Sequence, residues 1–456
     1  MSILNNALSG ALASQLALSS SSQNIANLQT KGYTRQAALL SAVGPSAGST
    51  QAGNGVIVSS LMRFSDNYKT QQLWRAASDL GERAQAQPYL TQLETVMGND
   101  DASLSGGVDK FFAALNAVAG VDPTSTPLRQ QVVTAAGLLS QRFNSLNNVY
   151  NSQLQSLRQQ RSAIVDSANT SIAAIASLNA RIANANATGS NASSLIDQRD
   201  QAIDSLASQM ALEVSDQPDG TRNVSLKSGQ SLVLGSVAGK LAVTGNADQS
   251  FSLTFAGTTF GLDVTRAGGQ LGGLSAYEKD VLLPLQNNVA EMAQQLADKV
   301  NNQLALGKTM DGTPGKPLFV YTPGSTSSML QVASGFQTAD LAFSSDGTPG
   351  DTGNLQKLVA IKGQSISLTG LGSVLLSDAD TQLVGKLAVD SQQNKGALDT
   401  YQSMRDQAEA DWQSTSGVNQ DEEAVNLVEY QKMYQANMKV MSVANALFDA
   451  TLAMMG

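Results

Sequence analysis

Apolar residues near the start of the chain recur at a strict interval of seven, at Leu4, Ala11, Leu18 and Ile25, with Ala7, Ser14, Ser21 and Leu28 between them. That interval is the seam of a helix that packs along another helix, so residues 3–28 are expected to be helical. Half of the seam positions carry small side chains. Gly32 supplies a helix stop, after which "YTRQAALLSAVGP" and "GNGVIVSSLMRF" read as two extended arms around a Gly/Ser-rich turn. Helix is expected again over 64–97.

After "GNDDASLSGG" and a short helix to Ala119, "DPTSTP" supplies helix-start chemistry. From there to Ala187 runs the most periodic part of the chain, whose apolar face includes Val132, Leu139, Leu146, Leu157, Ile164, Ile172, Ile175, Leu178 and Ile182. Unbroken, such a helix would be a rod of about 90 Å. "SSLIDQRDQAIDSLASQM" predicts a second helix folding back antiparallel on it. At Leu212 the period changes to alternation. Residues 213–275 read as a small β-module, 276–305 as helix, and 307–385 as a second β-rich stretch with turns at Asp311-Gly312 and Asp346-Gly347. From Leu387 onward helix is expected, interrupted at Ser416-Gly417.

The last helix has the cleanest pattern. Asn419 can cap it, and Asp421, Glu422 and Glu423 occupy the first turn, where the helix dipole favours acids. Leu427, Tyr434, Met441, Phe448 and Met455 follow at intervals of seven, with Ala424, Met438 and Leu452 on the neighbouring stripe. The predicted fold is mainly α with β insertions. Terminal coiled-coil helices (1–35 and 417–456) meet in an assembly domain. A helical rod domain (36–212, 276–306 and 386–416) includes the N-terminal hairpin, and β-modules (213–275 and 307–385) are carried outward in the middle of the chain. The second module is either separate or a continuation of the first.

Ordering each terminal arm costs on the order of 1–2 kcal/mol per residue, whereas each large buried apolar side chain returns about 1.5–3 kcal/mol. A two-helix seam with so few large residues does not balance that cost, so burial between copies of the chain is expected. The candidate assembly residues are Leu4, Ala11, Leu18, Ile25, Leu427, Tyr434, Met441, Phe448 and Met455.

Composition narrows the function classes. A net charge of −9, with no basic stripe interleaved with aromatics, argues against nucleic acid as a partner. No run approaches 18 apolar residues, so no membrane span is expected. The first charged side chain is Lys31, so a secretory signal with a basic start is not indicated. The chain has no cysteine and no histidine, which removes thiolate chemistry and the commonest general base and metal ligand. No enzyme, metal site or cofactor is expected. Gly307-Lys308-Thr309 mimics the end of a phosphate-binding loop, but position 302 is Asn where that motif needs Gly. Asp100-Asp101 and Glu422-Glu423 read as solvated helix-end acids.

"SQNIANLQTKGYTRQ" and "SGVNQDEEAVNLVEYQKMYQANMKVMSVANALFDATL" resemble the end signatures shared by rod, hook and junction subunits of the bacterial flagellum. "LRQQVVTAAGLLSQRFNSLN", "LIDQRDQAIDSLA" and "MDGTPGKPLFVY" look like landmarks of one family among them, the hook-filament junction family. The resemblance implies a non-enzymatic, extracellular axial protein that is exported through the flagellum's own type III channel without a cleaved signal. It implies a ring of subunits with four kinds of partner: the chain itself, the hook protein, the adjacent junction protein on the filament side, and an export chaperone. The termini would be disordered in the free subunit and would pair as helices on assembly. A hook or distal rod subunit is the alternative within this class. An adhesive surface protein binding glycan or matrix through the β-modules is the alternative outside it, although few aromatics are available for sugar stacking.

Overall fold

The computed structural model describes residues 2–44, 53–99, 103–245 and 248–455, with only the backbone described at Ser2 and Met455. Asp100-Asp101 and most of the Gly/Ser-rich turn lie outside the described residues. The chain opens with α1 (Ser2–Ala26), the hairpin β1 (Gln36–Ala42) and β2 (Val56–Arg63), α2 (Asn67–Met97) and α3 (Leu104–Gly120). Then comes α4 (Thr126–Ala187), a single helix of 62 residues, about 93 Å long at 1.5 Å per residue. Helix α5 (Ser193–Gln209) folds back along it.

One face of α4 is buried along its length, from Val132 through Phe143, Tyr150 and Ile164 to Ile182. Near its N-terminal half Phe111 stacks edge-on against Phe112 and Phe319, with ring centroids 5.2 and 5.6 Å apart. Two antiparallel meanders cover its C-terminal half. The first contains β3 (Leu212–Asp216), β4 (Arg222–Leu226), β5 (Ser231–Leu234) and β6 (Val237–Ala238). The second contains β7 (Lys240–Thr244), β8 (Ser250–Phe255) and β9 (Thr258–Leu262).

The expected β-module ends earlier than its pattern suggested, because helix α6 (Gly269–Tyr277) starts before residue 276 and joins α7 (Leu283–Ala305) through a π-helical turn at Glu278–Leu282. Glycines of α6 and α2 act as contact points. A Cβ on Gly273 would sit 2.0 Å from the Glu82 carbonyl oxygen, and one on Gly81 of α2 would sit 2.2 Å from that of Ser208. Glycine lets the helix backbones approach where any side chain would separate them. The stretch 307–385 is less β-rich than expected. Two small hairpins, β10 (Phe319–Tyr321) with β11 (Leu330–Val332) and β12 (Ser365–Leu368) with β13 (Gly372–Leu375), flank a helix, α8 (Gly353–Ala360). The expected turn glycines Gly312 and Gly347 do take positive φ, 74° and 96°. Lys308 of the decoy phosphate loop exchanges backbone hydrogen bonds with Ser344, which ties that loop into structure. Helices α9 (Ala379–Ser416) and α10 (Gln420–Met455) complete the chain.

Carboxamides on the long helices hold the strand edges. Asn179 donates to the carbonyls of Arg222 (2.7 Å) and Gly235 (2.8 Å) and accepts from the Arg222 amide at 3.1 Å. Asn169 does the same to both backbone groups of Leu241, Asn144 to Leu330, Asn301 to Phe319 and Gln295 to Ser367. A carboxamide carries a donor and an acceptor side by side, so it replaces a neighbouring strand.

An ionic clasp joins the rod to the segment that follows α1. Asp197, Asp200 and Asp204 share one face of α5. Arg63, at the end of β2, donates to Asp197 (2.9 Å) and Asp200 (3.1 Å). Arg222 bonds Asp200 and Asp216, both at 2.6 Å, and Arg405 of α9 grips Asp204 through two bonds of 2.9 Å. The Thr34 amide also donates to Asp197 at 3.1 Å. Burial raises the Asp197 carboxyl above its ordinary value, opposed by Arg63 and Thr34.

Three measurements test this architecture. Asn179→Ala leaves three backbone groups without partners at about 1–3 kcal/mol for each buried group, so urea unfolding should show a loss of several kcal/mol and amide exchange at Arg222 should accelerate. Arg63→Met strips a charge partner from two largely buried acids and should destabilise by about 3–5 kcal/mol, with early protease cutting near residues 31–36. Asp380, buried against the Ser105 amide at 2.9 Å, has its carboxyl raised by burial. A raised acid stabilises below its unfolded pKa and loses that contribution as pH rises through its folded one. Asp380→Asn should therefore gain on the wild type as pH climbs from about 4, and a flat difference in urea midpoints would contradict this.

Candidate assembly interface

Helices α1 and α10 pair antiparallel in the most extensive helix–helix contact of the molecule. Gly10 marks the crossing point, since a Cβ there would meet the Asn437 side chain at 2.6–2.9 Å. Asn419 caps α10, accepting from the amides of Asp421 (3.0 Å) and Glu422 (3.4 Å). Ala11 is buried in the pair, and Leu4, Leu18, Ile25, Leu427, Tyr434 and Met441 are half-buried. The structure brings the two predicted seams together within one chain. The stripe that accompanies Leu427, Tyr434 and Met441 toward α1 is Tyr430, Asn437 and Ala444. Ala424, Met438 and Leu452 are exposed, because a heptad seam alternates steps of three and four and only one of the two neighbouring stripes faces the partner. Phe448, also expected in the seam, is 62% exposed, and the Met455 side chain lies outside the described residues.

A second side of α1 carries the hairpin. Ser20 and Asn24 donate to the Gln36 carbonyl at 3.0 and 2.8 Å, and Asn24 accepts from the Gln36 amide at 3.1 Å. The Val56 amide donates to Ser9 at 3.2 Å. Ala13 and Ala17, buried between these groups, keep the surfaces close. The third side exposes Leu8, Leu12 and Leu16, and α10 exposes Val425, Val440, Val443 and Leu447 on a face turned away from α1. These outer stripes went unread in the sequence. On α1 the stripe is spaced by four, which drifts around the helix and leaves the interval of seven, and on α10 only the position of the partner helix separates the outer residues from the seam.

At the joint between rod and pair, the Arg35 amide donates to the Ser416 carbonyl at 2.8 Å, its guanidinium pairs with Glu422, and it lies 4.3 Å over the Phe64 ring. Glu423 is buried, unlike the solvated acid expected there, while Glu422 is exposed. Tyr33 donates to Asn24 at 2.9 Å. Burial, reinforced by Asp197 and Glu423, pushes the Tyr33 phenol up to about 12. Among the described residues no group of three or more acids is placed to hold a metal ion, and no helix is long and apolar enough to cross a membrane. The geometry builds a surface for packing.

Comparison with known proteins agrees with the geometry. Residues 90–319 match the model of the flagellar hook-associated protein FlgK helical domain, and residues 412–454 match the C-terminal model of flagellar basal body rod FlgEFG proteins. The chain is 26% identical to flagellar hook-associated protein 1 of Escherichia coli, covering 99% of each chain. It is 27% identical to that of Bacillus subtilis, covering 97% of this chain and 96% of the other. The structure of the flagellar hook junction protein FlgK from Burkholderia pseudomallei superposes with a TM-score of 0.68 at 17% identity, over 75% of this chain and all of that one. With its helical core matched over half its length and its C-terminal helix matched to axial proteins, the chain belongs to the FlgK hook-associated protein family of the bacterial flagellum.

Proposed function

We propose that this chain is a structural subunit of the junction between flagellar hook and filament and that it builds the junction by packing its α1–α10 pair against those of neighbouring copies. The observation that carries the reading is the pair itself, whose seam is filled within one chain while the outer stripes Leu8–Leu12–Leu16 and Val425–Val440–Val443–Leu447 remain uncovered. Exposed apolar faces of that extent mark interaction surfaces. The missing charges fit the same role. Residues 1–30 carry none, and a helix enclosed by neighbours must avoid buried unpaired charge.

The hook protein and the next junction protein toward the filament are the proposed neighbours at the two ends of the ring. Export through the flagellum's own channel, with a chaperone on the terminal helices beforehand, is the proposed route. The absence of cysteine suits a chain that must pass a narrow channel unfolded, because no disulfide resists threading. The seam residues Leu4, Ala11, Leu18, Ile25, Leu427, Tyr434, Met441, Phe448 and Met455 join this proposal in two roles. Those up to Met441 hold the pair together, and Phe448 and Met455 lie beyond its covered part.

Leu12→Glu separates assembly from folding. The position is exposed, so monomer stability should stay within about 0.5 kcal/mol of wild type, while incorporation into the junction, read by immunoblot of isolated flagella, should be lost. Met441→Asp enters the seam and should additionally expose α1 and α10 to protease in the isolated subunit. Normal filaments from cells whose only copy is Leu12→Glu would remove the proposed surface.

A further inference from the structure

The α1–α10 pair is uneven at one end and hollow at the other. With Gly10 opposite Asn437, α1 runs out opposite about residue 445, so roughly the last ten residues of α10 extend past it. Phe448 continues the stripe of Leu427, Tyr434 and Met441, and Leu452 that of Ala424 and Met438; they are 62% and 55% exposed, and Met454 on the far side is 81% exposed. From Leu447 to Met454 the only charged residue is Asp449. A helix that is apolar all round is a buried helix, and among the described residues none covers this one.

At the opposite end, where the turn after α1 meets the α9–α10 connection, lies a cleft of about 760 Å³. Leu28, Tyr33, Trp412 and Val418 line it, with Lys31 and Glu409 among its polar groups. The overhang cannot reach the cleft of its own chain, because 32 residues of straight helix, about 48 Å, separate Gln420 from Leu452.

We propose that the α10 overhang of one copy seats in the joint cleft of the next, with Phe448 and Leu452 against Leu28 and Trp412 and Asp449 near Lys31. The inference rests on the self-assembly reading above and deepens it by naming an end-to-end contact distinct from the side-by-side contact of the outer stripes. Knob and socket are different patches, so the contact is heterologous and propagates from copy to copy. The last copy in a stack keeps an open socket or a free knob. An axial neighbour of different sequence could occupy either, which gives the ring two chemically distinct ends.

The cysteine-free chain makes the test clean. Thr30→Cys with Leu452→Cys places thiols on socket and knob, and Leu12→Cys with Val443→Cys places them on the side-by-side stripes. Flagella are isolated from cells carrying each double variant as the sole copy, oxidised, and resolved on denaturing gels. A ladder of covalent multimers is expected from both pairs. A ladder from the Leu12/Val443 pair alone would overturn the knob-and-socket contact while leaving self-assembly standing, and no ladder from either would remove the self-assembly reading itself. Independently, Phe448→Asn with Leu452→Asn should leave the melting temperature of the subunit unchanged and cut incorporation at least about tenfold, the effect of losing about 1.4 kcal/mol of contact. Wild-type incorporation by that variant would also overturn the inference.

Discussion

A helix of 62 residues has far more apolar face than one compact core can cover, and the rest of the rod is arranged to cover it. Along α4 the partners come in series. Helix α3 and the β10–β11 hairpin serve its N-terminal half, α6 and α7 its middle, and the two meanders with α5 its C-terminal half. Such a core is long and thin. Its polar interruptions lie at the handovers between partners, where Asn147, Gln153 and Arg161 reach other elements.

Those handovers rely on neutral carboxamides more than on charge. A strand laid against a helix leaves one row of backbone groups without a ladder, and a charged side chain would satisfy only donors or only acceptors while adding a desolvation penalty. Asn and Gln meet both needs at once, which accounts for a chain with so few charged residues and so much secondary structure to fasten. The buried ions are concentrated in the clasp on α5, where Asp197, Asp200 and Asp204 meet Arg63, Arg222 and Arg405. That clasp ties β2, β4 and α9 to α5.

The terminal pair follows different physics. Its seam is filled by Ala7, Ala11, Ser14 and Ser21 as much as by leucine, which brings the helices close but buries little apolar area for the length ordered. On the assembly proposed above, the residues left for neighbours are the outer stripes and the overhang. A pair that is weak alone suits the assembly proposed above, in which neighbours complete its burial.

Period and composition by themselves determined the positions of the long helices, the change to alternation at Leu212, the capped final helix and the exclusion of histidine and cysteine chemistry. Periodicity reports one buried face per helix, and these follow from it directly. Tertiary structure decided the rest. It made close contact points of the glycines at 81 and 273, and placed a short helix at 353–360 where the apolar run was too brief to show a period. It also left Phe448 uncovered, because a heptad specifies which face of a helix is sticky but not how far the partner helix extends to meet it.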